Sequence, residues 1–174
     1  MNDLRQNVDR EEHVPHFDPL DGGTKARCLF LFETPGPKAL ESGFASRNNP
    51  DESAKNFFEL NEKAGLDRRL TASWNIVPWY LGSGEKIRAA KRADINQGLP
   101  YLWELLSHLS LEVIVLGGRK AQRVESDIRE HYPSIQIEEM WHPSPQSLNP
   151  VPQRREEILE VLRRVTRSLS HKDA

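Results

Sequence analysis

Three side chains in this sequence are equipped to handle a polar ring: the carboxylate of Glu33, the carboxamide of Asn75 and the imidazole of His142. A carboxylate accepts hydrogen bonds and can steady positive charge. A carboxamide offers an acceptor and two donors, and an imidazole can donate to an oxygen that gains negative charge. Glu33 closes the apolar run "LFLF" and is followed by Thr34-Pro35-Gly36-Pro37; Asn75 sits in "SWNIVPWY"; His142 opens "HPSPQSLN". A fourth segment, "VIVLGGRKA", ends on a glycine pair followed by Arg119 and Lys120. Each also has an ordinary use: Glu33 pairing with an arginine or capping a turn, Asn75 bridging backbone groups at a sheet edge, His142 satisfied by backbone in an ordered loop. Their common position at the ends of strand-like segments is what points to a site, because ligands of open parallel sheets bind just beyond the carboxyl ends of the strands.

The elements that must position them can be read from periodicity. Continuous apolar runs bounded by turn residues predict strands over Arg27–Glu33, Ala72–Pro78, Leu111–Leu116 and Ile135–Met140. Pro35 and Pro37 cannot extend a ladder, so Glu33 stands at a carboxyl end. Helical spacing predicts Ala54–Ala64, with Phe57 and Phe58 as core, then Ile95–Leu109, Gly118–Glu130 and Pro152–Leu169. Pro100 should kink the second of these or mark its start. Strands alternating with helices imply a four-stranded parallel sheet with helices on both faces and all four strand endings on one edge. Residues 1–26 are polar, carry "DPLDGG", and read as an extended lead-in to a single domain over 27–174.

Composition limits the rest. A chain of 174 residues can bury a core without metals or disulfides. Cys28 is the one cysteine, which excludes an internal disulfide and an all-cysteine metal or iron–sulfur site within the chain. A formal charge of -2 argues against a global basic field, leaving local patches for any nucleic-acid contact. The first residues hold no apolar segment of signal length and no window is long enough to span a bilayer. A reducing, cytoplasmic location is expected, with no membrane association. "ETPGPKA" lacks the G-x-G-x-x-G spacing of a dinucleotide site.

With these motifs in order, the chain from about Arg27 to its last helix resembles the uracil-DNA glycosylase superfamily. "ETPGP" is similar to the family's first active-site motif and "HPSPQS" to its second, with the Asn75 strand and "VIVLGGRKA" between them as in relatives. The resemblance implies a three-layer α/β/α sandwich around a short four-stranded parallel sheet. It implies an enzyme that flips a base out of DNA and hydrolyses its glycosidic bond with water as nucleophile, without metal or cofactor and as a monomer.

In that chemistry positive charge develops on the sugar and negative charge on the departing base. Glu33 would orient the water or steady the sugar cation, and His142 would donate to a base carbonyl. Asn75 would read the pyrimidine edge, joined in base binding by Thr34 and by Phe44 as the stacking ring. Backbone at Pro35, Gly36 and Ser144 would approach DNA phosphates. Gln146, Ser147 and Leu148 fall where relatives insert a loop into the minor groove, with Leu148 as the available wedge. Arg119 and Lys120 would add phosphate contacts. The chain departs from the family in two places: Thr34 stands where many relatives carry Asp or Asn to handle the water, and Phe32 replaces an initial glycine. Glu33 occupies a place that is acidic in the iron–sulfur branch, whose cluster cysteines are absent here. The alternative is a noncatalytic nucleobase- or nucleotide-binding protein on the same fold.

Overall fold

The computed structural model describes residues 14–83 and 86–170. Its centre is a four-stranded parallel sheet of β2 (Cys28–Phe32), β4 (Thr71–Asn75), β7 (Val113–Gly117) and β8 (Gln136–Met140), ordered β4-β2-β7-β8. The register pairs Leu31 with Trp74 and with Leu116, and Leu116 with Glu139, so the carboxyl ends lie level along one edge. All four strands expected from the apolar runs form, with ends shifted by at most three residues. Main-chain bonding between β2 and β4 continues past the assigned strands: Ile76 N–H donates to the Phe32 carbonyl at 2.8 Å and Val77 N–H to that of Glu33 at 3.0 Å. Glu33 is thereby held as an extension of β2.

Side-chain alternation divides the core in two. Leu29, Leu31, Ile114 and Leu116 face a cluster with α3 (Arg92–Ser107) and α4 (Glu125–His131). Cys28, Phe30, Val113 and Val115 face the other side, packing with α2 (Glu52–Ala64) and α6 (Arg154–Ser170). Period-two residues on a doubly covered sheet must separate this way, and the result is a three-layer α/β/α sandwich. Every one of these eight strand side chains is fully buried. Two short helices, α1 (Pro37–Ser42) and α5 (Pro145–Leu148), follow β2 and β8 at the carboxyl edge, and β5 (Gly82–Ser83) pairs antiparallel with β6 (Lys86–Ile87) ahead of α3. Pro100 lies inside α3 without dividing it. The expected Gly118–Glu130 helix is instead a 3₁₀ turn over Ala121–Val124 running into α4. Among the described residues no helix is long and apolar enough to cross a membrane.

The lead-in expected over residues 1–26 needs correction in its second half; residues 1–13 lie outside the described residues. β1 (His16–Phe17) pairs in parallel with β3 (Phe44–Ala45), Phe17 stacks on Trp74 at 4.4 Å between ring centroids, and Val14, Asp18 and Ala26 are buried. The polar composition concealed two inward carboxylates. Asp18 accepts from Arg68 at 2.9 Å and from the Ser46 hydroxyl, while Asp21 accepts from Arg68 at 3.0 Å and faces the buried Arg47 at 3.6 Å. Buried acids paired in this way make residues 14–26 part of the folded unit.

Candidate active site

Beyond the carboxyl edge lies a cavity of about 470 Å³, walled by Phe32 to Ala39, the Ala45–Arg47 segment, the start of α2, Ser73 to Asn75 and the His142 loop. Glu33, Asn75 and His142 all line it, joined by Thr34, Pro35, Gly36, Ser144 and Gln146. The endings of β2, β4 and β8 thus converge on one space, and that of β7 does not line it.

Glu33 reaches it from the end of β2. Its Oε1 accepts from the Ala90 amide at 2.6 Å, and its Oε2 makes no hydrogen bond with any described residue. One oxygen fixes the carboxylate while the other stays available. Thr34 donates its hydroxyl to the Trp79 carbonyl at 2.9 Å, leaving only acceptor capacity toward the cavity. Asn75 is buried at the end of β4, and its carboxamide makes no hydrogen bond with any described residue. Its donors and acceptor are therefore open to the cavity.

His142 is set by its own loop. The Ser144 amide donates to Nδ1 at 3.1 Å, so Nδ1 must be the acceptor and the neutral ring carries its proton on Nε2. Desolvation lowers its pKa from 6.5 to about 4, only partly opposed by the nearby Asp51 carboxylate. The imidazole is therefore a neutral donor at physiological pH. Its position depends on the strand-end glycines: a Cβ at Gly117 would collide with the Phe32 ring, and Gly118, at φ 90°, would bring one within 3.0 Å of the His142 Cβ. Phe32, where the family motif begins with glycine, fills that space and packs edge-on to His142 at 5.5 Å.

The loop carrying His142 is clamped from behind. Asn56 of α2 donates to the Pro143 carbonyl at 2.9 Å, and Arg155 of α6 donates to the Asn56 Oδ1 at 2.8 Å. Arg154 donates to the Ser147 carbonyl at 2.8 Å. These polar contacts join two helices to the second motif.

Two expectations fail on burial and placement. Leu148 is fully buried within the cluster formed with α6, because the α5 turn, bonded from Ser147 N and Leu148 N to the Ser144 carbonyl, winds it inward. It packs core and does not project as a wedge; Gln146, exposed on the same turn, lines the cavity. Phe44, 37% exposed and tilted against His16, lies outside the lining, where Phe32, Phe57 and Trp74 supply the rings. Ser147, Arg119 and Lys120 also stand outside the lining. Phe58, expected in the core, is 38% exposed, whereas Phe57 is buried.

The wall also contains groups that sequence reasoning missed. Arg47 is buried, donates to the Thr71 hydroxyl at 2.7 Å and lies 5.0 Å over the Phe57 ring. Burial lowers its pKa, and its Nε has no partner among the described residues. An arginine in "ASRNNPDES" reads as solvated, and only the buried aspartates of the lead-in mark it otherwise. Asp51 was likewise missed, although its place before the α2 apolar spacing is a cap signal; its side chain accepts from the Ala54 amide at 2.9 Å. Among the described residues no cluster of three or more His, Cys, Asp or Glu is placed to hold a metal.

The fold is thus a three-layer parallel α/β domain in which a carboxylate, a free carboxamide and a neutral imidazole line one cavity at the carboxyl edge of a doubly covered sheet. The chain belongs to the Uracil DNA glycosylase superfamily, whose family model matches residues 19–165. No curated protein shows significant similarity to it. Solved structures of other proteins share its fold, two of them as follows. One is the solution NMR structure of a Methanosarcina acetivorans protein provisionally assigned as a uracil DNA glycosylase: 17% identity, TM-score 0.55, 87% of this chain and 98% of that one covered. The other is the crystal structure of Pedobacter heparinus SMUG2: 13% identity, TM-score 0.59, 84% and 77% covered.

Proposed function

We propose that this protein is a DNA glycosylase that hydrolyses the N-glycosidic bond of uracil, or of a related deaminated or damaged base, flipped out of DNA. The observation that carries the reading is the convergence of Glu33, Asn75 and His142 on one cavity, with membership of the superfamily behind it. As the bond from C1′ to the base nitrogen breaks, the electron pair leaves with the base. His142 donates from Nε2 to the carbonyl oxygen on which negative charge collects. A neutral imidazole suits this task because its donation needs no acidic pH. Asn75 offers its donors and acceptor to the N–H and C=O edge of the ring. Glu33, through Oε2, steadies the sugar cation and orients the water whose oxygen bonds C1′; Oε2 takes the proton that the water loses and passes it to solvent, and the departed base anion takes one up to leave as the neutral base. The Thr34 hydroxyl, donating to the Trp79 carbonyl, keeps an acceptor lone pair but no charge, so the anionic role falls to Glu33. Backbone at Pro35, Gly36 and Ser144, with Gln146 at the rim, faces the adjoining phosphates.

The test is base release from a fluorescent oligonucleotide carrying one uracil, single-stranded or paired with guanine, read by alkaline cleavage of the abasic product. We expect cleavage by the wild type and a loss of about 10²–10⁴-fold in Glu33→Ala and His142→Ala. Tight binding of the uracil strand without cleavage, and without cleavage of other damaged bases, would instead establish the noncatalytic binder.

A further inference from the structure

With a formal charge of -2, any attraction to a polyanion must be local. Most arginines of the chain are committed to acids: Arg27 to Glu112, Arg47 and Arg68 to the buried aspartates, Arg69 to Asp67, Arg88 to Asp94, Arg92 to Asp127, Arg129 to Glu125, Arg163 to Glu156 and Arg164 to Glu138. Arg119, Arg123, Arg154 and Arg155 form no ion pair with a described residue; Arg155 is taken up by Asn56, and Arg119 and Arg154 are set apart by sharing one partner. Both gather on one aromatic ring. The Arg154 guanidinium carbon lies 3.9 Å from the centroid of the Trp141 indole and that of Arg119 lies 5.4 Å away.

The location gives this pairing meaning. Trp141 immediately precedes His142, Arg119 follows the glycine pair that lets His142 approach, and Arg154 bonds the Ser147 carbonyl in the same loop. The cations therefore flank the loop that carries the proposed leaving-group donor. The indole is itself held, its Nε1–H donating to Glu157 at 2.5 Å, so the ring orders two guanidiniums that would otherwise lose rotamer freedom on binding. That carboxylate offsets one of the two positive charges, leaving the guanidinium edges as the surplus. Planar donors without acids, held on a rigid ring, match phosphate oxygens.

We propose that Arg119 and Arg154, ordered on Trp141, form a phosphate-binding site that grips the DNA backbone beside the flipped nucleotide. It rests on the glycosylase reading and adds to it the residues that seat the strand. Its contribution is to affinity and salt dependence, not to bond cleavage.

Fluorescence anisotropy with a fluorescein-labelled oligonucleotide lacking uracil, single- and double-stranded, separates the two ideas because no cleavage is involved. Every phosphate that the protein ceases to neutralise reduces the slope of log affinity against log salt by about 0.9 on duplex and about 0.7 on single strand. Arg119→Glu touches no hydrogen bond and is expected to retain the wild-type melting temperature and to lower the slope by about one such step. Arg119→Glu combined with Arg154→Lys, which keeps the donor to Ser147, is expected to lower affinity further. DNA binding with an unchanged slope in a folded Arg119→Glu protein would overturn the phosphate site and leave the glycosylase reading intact. Absence of DNA binding by the wild type would overturn both.

Discussion

At the scale of single residues, the state of His142 decides most. Its Nδ1 is occupied by a backbone donor and its pKa is lowered to about 4 by burial, so Nε2 remains a donor over the whole neutral range. Two-dimensional NMR of the ring nitrogens should show the Nε2–H tautomer and a titration near about 4. Protonation at Nδ1 would break the Ser144 contact that sets the ring, so the part of the acid limb of kcat/KM that His142 contributes should fall near that value and not near 6.5. The same shift acts on folding. Between the native value of about 4 and the unfolded value of 6.5 the unfolded chain binds more protons, so stability is lost as pH falls through this window. Urea unfolding at the two ends of the window should show a smaller loss in His142→Gln than in the wild type. An ordinary titration near 6.5 would remove this account of the donor.

Among elements, the contact between helices and the second motif is the informative one. Asn56, one turn into α2, bridges the Pro143 carbonyl and Arg155 at the start of α6. Replacing it by alanine removes the donor and leaves a buried carbonyl unsatisfied, a change worth about 1–3 kcal/mol. Thermal unfolding of Asn56→Ala should show that cost. In addition, the His142 titration should move upward as water reaches a loosened loop, an effect that a remote core defect of equal cost would not produce. Apolar spacing placed the framework of these helices well: α2, α3 and α6 form close to where their periodicity puts them. Asn56 was not legible, because a polar residue at helical spacing reads as solvent-facing until its partners are known.

For the molecule as a whole, the buried charges tie the beginning of the chain to the cavity. Asp18 and Asp21 come from the segment before β2, Ser46 and Arg47 from the cavity wall, and Arg68 and Thr71 from the entry to β4. Desolvation raises the Asp21 pKa and lowers that of Arg47, the expected cost of holding ions away from water. Removing one member strands the others. Asp21→Ala should cost about 3–5 kcal/mol, measured by denaturant unfolding, because Arg47 would remain buried with only the weaker attraction of Asp18 to balance it. An effect below about 1 kcal/mol would mean that the ions are effectively solvated.

Sequence alone determined what local periodicity and strand direction control. Apolar runs specified four strands; their alternation with helices specified a parallel sheet; and parallel strands put Glu33, Asn75 and the His142 loop on one edge. Those inferences hold because side-chain period and hydrogen-bond direction are properties of short segments. Tertiary structure alone decided which side chains face the cavity. It buried Leu148 beneath the α5 turn, left Phe44 outside the wall, brought Phe57 and Arg47 into it, and made residues 14–26 part of the domain. The reason is physical: whether a short turn points its side chain inward, and whether a charged residue is buried, depends on partners distant in sequence. No local pattern records them.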